Sequence, residues 1–172
     1  MPAIANGQWL SLNVSPEHLL KEPLAEILAG PHARRLVVEV TEHAPVPDYE
    51  SLGRRLNELR SAGVRIAVDD AGAGFASLRH ILLLRPDFIK LDVALCRDVA
   101  IDPARAAMAR ALVAFGADTG SAVVAEGIER QHDQDELQRI GVRLGQGYHL
   151  GRPAALDGYA RLTPLRNSTD SA

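Results

Sequence analysis

The chain carries one cysteine, Cys96, in 172 residues. That excludes an internal disulfide and any zinc site built on cysteines. It also lacks a membrane-length segment: no run approaches the roughly 18 consecutive apolar residues that a spanning helix needs. The N-terminus does not have the basic-then-apolar form of a secretory signal, so the expected location is the cytoplasm. There is no excess of positive charge, since 19 Lys and Arg face 22 Asp and Glu for a net charge of −3. A general DNA-binding surface is not expected from such a balance. Six histidines, at 18, 32, 43, 80, 132 and 149, never pair at the spacing of a zinc-binding helix, and they read as surface or structural residues. There is no Walker-type loop. The glycines of loop 70–75 miss the strand–GxGxxG–helix spacing of a dinucleotide fingerprint.

What is present is a repeated form. Five apolar runs each contain or end on a polar residue able to hold a metal or a phosphate. They are Leu10–Val14 with Asn13, Leu36–Thr41 with Glu39 and Glu42 beyond it, Val64–Asp70 with Asp69 and Asp70, Phe88–Asp92 with Lys90, and Ala122–Glu126. A helix-like stretch follows each. Strands that carry chemistry at their carboxyl ends, each followed by a helix, are the sequence form of a (β/α) barrel.

The chain reads as a single domain over 1–172, with a frayed end from about 167 to 172. The expected strands are 9–14, 35–41, 64–69, 87–91, 121–126 and 142–145. The expected helices are 16–29, 48–62, 76–83, 102–118, 131–140 and 154–162. Leu52, Leu56 and Leu59 mark one face of the second helix, and Gly63 ends it. Strict alternation implies parallel strands with right-handed crossovers. A closed barrel needs about eight units and usually at least ~200 residues. The expected fold class is therefore α/β, a TIM-like barrel truncated at its N-terminus to about six β/α units.

Several of these polar residues are hard to place without a ligand. Asp69 and Asp70 are adjacent carboxylates that repel unless a cation lies between them. Neighbouring side chains on a strand point to opposite faces, so both reach one site only if the chain turns there. Glu39 interrupts an apolar strand, where an unpaired carboxylate is costly. Lys90, inside Phe88-Ile89-Lys90-Leu91, could orient water or neutralise a phosphate. Asn13 offers a carboxamide oxygen, a reasonable ligand for a hard cation, although alone it also suits a turn. Glu42 is equally readable as a solvated loop acid. Glu126 ends its strand beside Gly127, and Gln146-Gly147-Tyr148 could hydrogen-bond or stack on a base.

Six segments in order carry a resemblance. They are Asn13-Val14-Ser15, Glu39-Val40-Thr41-Glu42, Asp69-Asp70 with its Gly-x-Gly loop, Pro86 to Asp92, Ala125-Glu126-Gly127-Ile128-Glu129, and Gln146-Gly147-Tyr148 leading to Pro153. Over about residues 9–153 the chain resembles the EAL-domain family, phosphodiesterases that open bacterial cyclic di-GMP. The resemblance implies metal-dependent hydrolysis to the linear dinucleotide, with Mg2+ or Mn2+ in a two-metal site. It implies that Asn13, Glu39 and Asp69 hold the first metal, and that Asp69 bridges to a second held also by Asp70. Lys90 and Glu126 then position and activate the attacking water, Glu42 anchors the Gly-rich loop, and Gln146 lies near the substrate.

Two departures accompany it. The glutamate-alanine-leucine motif that names the family, whose glutamate is a metal ligand, is expected upstream of residue 1. The loop has alanine at 71, 73 and 76, and phenylalanine at 75, where the family prefers phenylalanine, threonine, serine and tyrosine respectively. The expectation is an EAL-type phosphodiesterase, impaired in this chain, with cyclic di-GMP as ligand. The alternative is a non-hydrolysing module that binds cyclic di-GMP or a protein. Expected partners are a second copy of the chain, or an N-terminal segment or sensor domain outside it.

Overall fold

Parallel strands fed by helices form where the sequence alternates short β-branched runs with amphipathic stretches, and a computed structural model of the chain has this order. It describes residues 8–41, 46, 48–72, 75–153 and 163–164. The elements are β1 (Leu10–Val14), α1 (Pro16–Lys21), α2 (Leu24–Leu28), β2 (Leu36–Val40), α3 (Tyr49–Ser61), β3 (Arg65–Ala71), α4 (Phe75–Leu84), β4 (Phe88–Leu91), α5 (Val93–Cys96), α6 (Pro103–Thr119), β5 (Ala122–Ala125), α7 (Gln131–Ile140), β6 (Leu144–Gly145) and β7 (Thr163–Pro164). Strand order follows chain order, and β1 to β6 run parallel. The chain divides into two compact units, Met1–Asp69 with Phe75–Phe88, and Asp70–Gly74 with Ile89–Ala172.

In the first unit β1 pairs with β2 and β2 with β3, in a register that puts Asn13 opposite Glu39 and Glu39 opposite Ala67. All five residues of β2 are buried, as expected of a strand covered on both faces. α3 is amphipathic, with Leu52, Leu56 and Leu59 turned into the core. It starts where Asp48 accepts hydrogen bonds from the Glu50 and Ser51 amides at 3.0 and 3.1 Å, the usual N-cap arrangement. Where β3 and β4 begin, the Trp9 and Phe88 rings stack at 5.7 Å. The Arg65 guanidinium lies over both, 4.9 and 5.0 Å from their centroids.

In the second unit α6 packs on β5 and α7, and β5 pairs with β6. Asp102 caps α6 by accepting from the Ala104 and Arg105 amides, and Pro103 occupies the first turn, where its missing N–H costs nothing.

The structure corrects several expected boundaries. The helix expected over 16–29 is two short helices, α1 and α2, because Pro23 cannot donate a backbone bond and its ring blocks helical continuation. β3 continues through Ala71, into what reads as loop in the sequence. The last strand of the alternation is only Leu144–Gly145, and β7 pairs with it antiparallel. α5 is an additional helical turn directly after β4, capped by Asp92, which accepts from the Ala94 amide at 2.8 Å. The helix expected at 154–162 lies outside the described residues, as does Glu42.

Candidate metal centre

β1, β2 and β3 carry the first set of polar residues. Paired residues of neighbouring strands share a face, as do residues two apart along one strand. The register therefore places Asn13, Glu39 and Ala67 in one row, with Asp69 on the same face two residues beyond Ala67. Glu39 is buried and Asn13 exposed.

Asp69 and Asp70 are consecutive, and regular strand geometry would send them to opposite faces. Asp70, however, has φ +54°. That left-handed conformation is uncommon for any residue with a Cβ, and aspartate is among those that tolerate it best. The kink turns Asp70 out of regular strand geometry. Asp70 and Glu126, both of the second unit, offer carboxylate oxygens within 4.8 Å of one another. Glu39 is not part of that group.

Glu126 follows the last residue of β5 and is buried. Lys90, in the middle of β4, is buried with it, and its Nζ lies 2.8 Å from Glu126 Oε1. Burying either charge alone would cost several kcal/mol, and the pairing offsets that cost. Gln146, just past β6, donates from Nε2 to the same Oε1. Two donors on one oxygen fix the rotation of the carboxylate.

The backbone around Gln146 is held as firmly. Its N–H donates to Ala125 O at 2.8 Å, and its carbonyl accepts from Ile128 N at 3.1 Å. Gly147 lies so close to Ile128 that a Cβ at 147 would sit 2.2 Å from the Ile128 N and O atoms. Beneath the carboxylate segment is Cys96, whose thiol is pushed up to about 12 by burial, against a smaller downward effect of the Glu126 backbone hydrogen bond. It is an inert core thiol.

The donor set fits a divalent cation. It is all oxygen, as hard cations prefer. The Asp70 and Glu126 carboxylates with the Lys90 ammonium leave one negative charge, which a bound cation would offset. The second unit thus gathers Asp70, Glu126, Lys90 and Gln146, while Asn13, Glu39 and Asp69 share a face on the first unit. Sequence reading did not find α5 or its part in this region. The signal available was Asp92, an N-cap residue after a strand.

Comparison with known proteins agrees with this geometry. The sequence profile of the EAL domain matches residues 3–153. A relative in Escherichia coli K12, the probable cyclic di-GMP phosphodiesterase PdeA, is 30% identical over 161 residues, 90% of this chain and 22% of its own length. Among solved structures, Klebsiella pneumoniae BlrP1 in a manganese and cyclic di-GMP complex superposes with a TM-score of 0.77 at 34% identity, over 85% of this chain and 39% of that one. The EAL domain of Mycobacterium smegmatis DcpA gives a TM-score of 0.78 at 30% identity, over 84% of this chain and 68% of its own. The chain spans about a fifth of the length of the curated relatives it matches.

Proposed function

Since the chain belongs to the EAL-domain family, a family of TIM-like barrels, we propose that it is a metal-dependent cyclic di-GMP phosphodiesterase, impaired in this chain, that opens one phosphodiester bond to give the linear dinucleotide. The observation that carries this reading is the buried Lys90–Glu126 pair beside Asp70. A carboxylate held against an ammonium, with a second carboxylate at hand, is arranged to serve a cation and a water molecule together.

In this reading Asn13, Glu39 and Asp69 would hold one Mg2+ or Mn2+, and Asp69 and Asp70 would hold a second. The ions, when bound, lower the pKa of water and spread the charge of the phosphoryl oxygens. Glu126 accepts the proton of the attacking water. Lys90 orients that carboxylate, and Gln146 donates to the same oxygen. Glu42 anchors the Gly-rich loop. The cleaved P–O bond leaves an alcohol at one nucleotide and a phosphate monoester at the other. A second copy of the chain, or a sensor domain, is the proposed partner.

The test is turnover of cyclic di-GMP by the 172-residue chain with Mn2+, and by Glu126→Gln. Loss of about 10²- to 10⁴-fold in rate is expected for the variant. Undiminished turnover in Glu126→Gln would sink the assignment. Binding of cyclic di-GMP with no turnover in either protein would favour the alternative of a non-hydrolysing module.

A further inference from the structure

Two glycines follow the carboxylates of the second unit at close quarters. Gly127 comes directly after Glu126, and Gly72 two residues after Asp70. Both are occupied from the same side by α5. A Cβ on Gly127 would lie 2.6 and 2.9 Å from Val93 Cγ1 and Cγ2. A Cβ on Gly72 would lie 3.0 Å from Leu95 Cδ2. The third contact is Cys96, which receives the Glu126 backbone hydrogen bond. The start of the turn is tied to the same strand end, since Asp92 N donates to Ala71 O at 3.1 Å.

The turn is itself anchored from behind. Arg105 of α6 donates from Nη1 to Ala94 O at 2.7 Å and to Arg97 O at 2.5 Å, and Asp102 steadies its guanidinium at 3.0 Å from Nε. A four-residue helix has little stability of its own, so this anchoring is what makes it rigid. Lys90 precedes it by three residues on β4. One short element therefore touches the segments that carry Glu126 and Asp70 and continues the strand that carries Lys90.

We propose that Val93 and Leu95 are positioning residues: wedged against Gly127 and Gly72, they set the spacing of Glu126 and Asp70 and so the affinity of the site for a divalent cation. The inference rests on the metal-site reading above. Residues behind metal ligands govern affinity because they fix ligand orientation, and their loss typically costs about 10- to 100-fold.

The test is an Mn2+ titration of the full chain without nucleotide, read as free Mn2+ by electron paramagnetic resonance, with the melting temperature of the metal-free protein alongside. Val93→Ala and Leu95→Ala should each weaken Mn2+ binding about tenfold. Val93→Thr, which keeps both γ positions filled, should stay within about twofold of the parent chain. Gly127→Ala should weaken binding further, and the double variant Val93→Ala/Gly127→Ala should recover part of that loss, because removing the γ carbons makes room for the new methyl group. Parent-like affinity in both alanine variants, whatever their melting temperatures, overturns the proposal, as does a double variant no better than Gly127→Ala. Val93 is 38% exposed, so its truncation should fold even if Leu95→Ala does not. A parent chain that binds no Mn2+ overturns both readings. One that binds Mn2+ without hydrolysing cyclic di-GMP overturns the phosphodiesterase reading alone.

Discussion

At the scale of single residues, the candidate site is built from polar side chains set in apolar strands. Glu39, Lys90 and Glu126 interrupt or end apolar runs, and all three are buried. The doublet Asp69-Asp70 announced a turn, but nothing in the residue order identified Asp70 as the position with φ +54°, because a left-handed residue is set by the strand and loop around it. His80, expected to be a surface or structural residue, is buried at 2% exposure. Its ring lies 5.6 Å from that of Tyr49, and its Nδ1 has no hydrogen-bond partner among the described residues. Burial, then the nearby Arg79 charge, lower its pKa below the ordinary 6.5. The unfolded chain therefore binds a proton that the folded chain resists, and stability rises with pH across that interval. The contribution is complete above 6.5 and is lost as pH falls toward the folded value. Urea unfolding at about pH 7 and about pH 5 should show this loss, and His80→Phe, which keeps the ring against Tyr49, should reduce it. An unchanged pH slope in the variant would refute the assignment.

At the scale of elements, long periodic segments were readable and short ones were not. α3, α6 and α7 lie within a residue or two of their expected bounds, because caps and apolar spacing agree over several turns. α5 and β7 escaped, being too short to show a period, and the expected first helix broke at Pro23. Two helical glycines show how packing can reverse an intrinsic preference. Gly53 in α3 has no atom of the described residues within 4 Å of its would-be Cβ. Gly116 in α6 has Ser121 O at 2.7 Å and Val123 Cγ2 at 3.0 Å. Alanine is favoured over glycine in a helix interior by about 0.8–1 kcal/mol, whereas overpacking costs about 1–3 kcal/mol. Gly53→Ala should therefore stabilise the chain by up to about 1 kcal/mol, and Gly116→Ala should destabilise it by up to about 2 kcal/mol net. Denaturant midpoints compared at constant slope measure both, and equal shifts of the same sign would contradict the packing argument.

At the scale of the whole molecule, the alternation of strand and helix conveyed the fold class, and the family profile confirmed it. The division into two compact units was not visible, because it cuts through β3 and β4 without any change in composition. If the native chain binds Mn2+ and the unfolded chain does not, the ion should raise the melting temperature. The gain is about 2.7 kcal/mol at a free concentration one hundred times the dissociation constant. Asp70→Asn, which keeps the side-chain shape and removes a charge, should blunt that rise. A melting temperature indifferent to Mn2+ in the parent chain would exclude tight binding to the folded state. The stack of Trp9, Phe88 and Arg65 bears on how such melting is observed. Trp9 is the chain's one tryptophan, so its emission is a local optical probe of the first unit. Circular dichroism averages over the helices of both. Coincident curves from the two signals would mean one cooperative transition, and a tryptophan signal that departs from the ellipticity would mean that the units melt in separate steps.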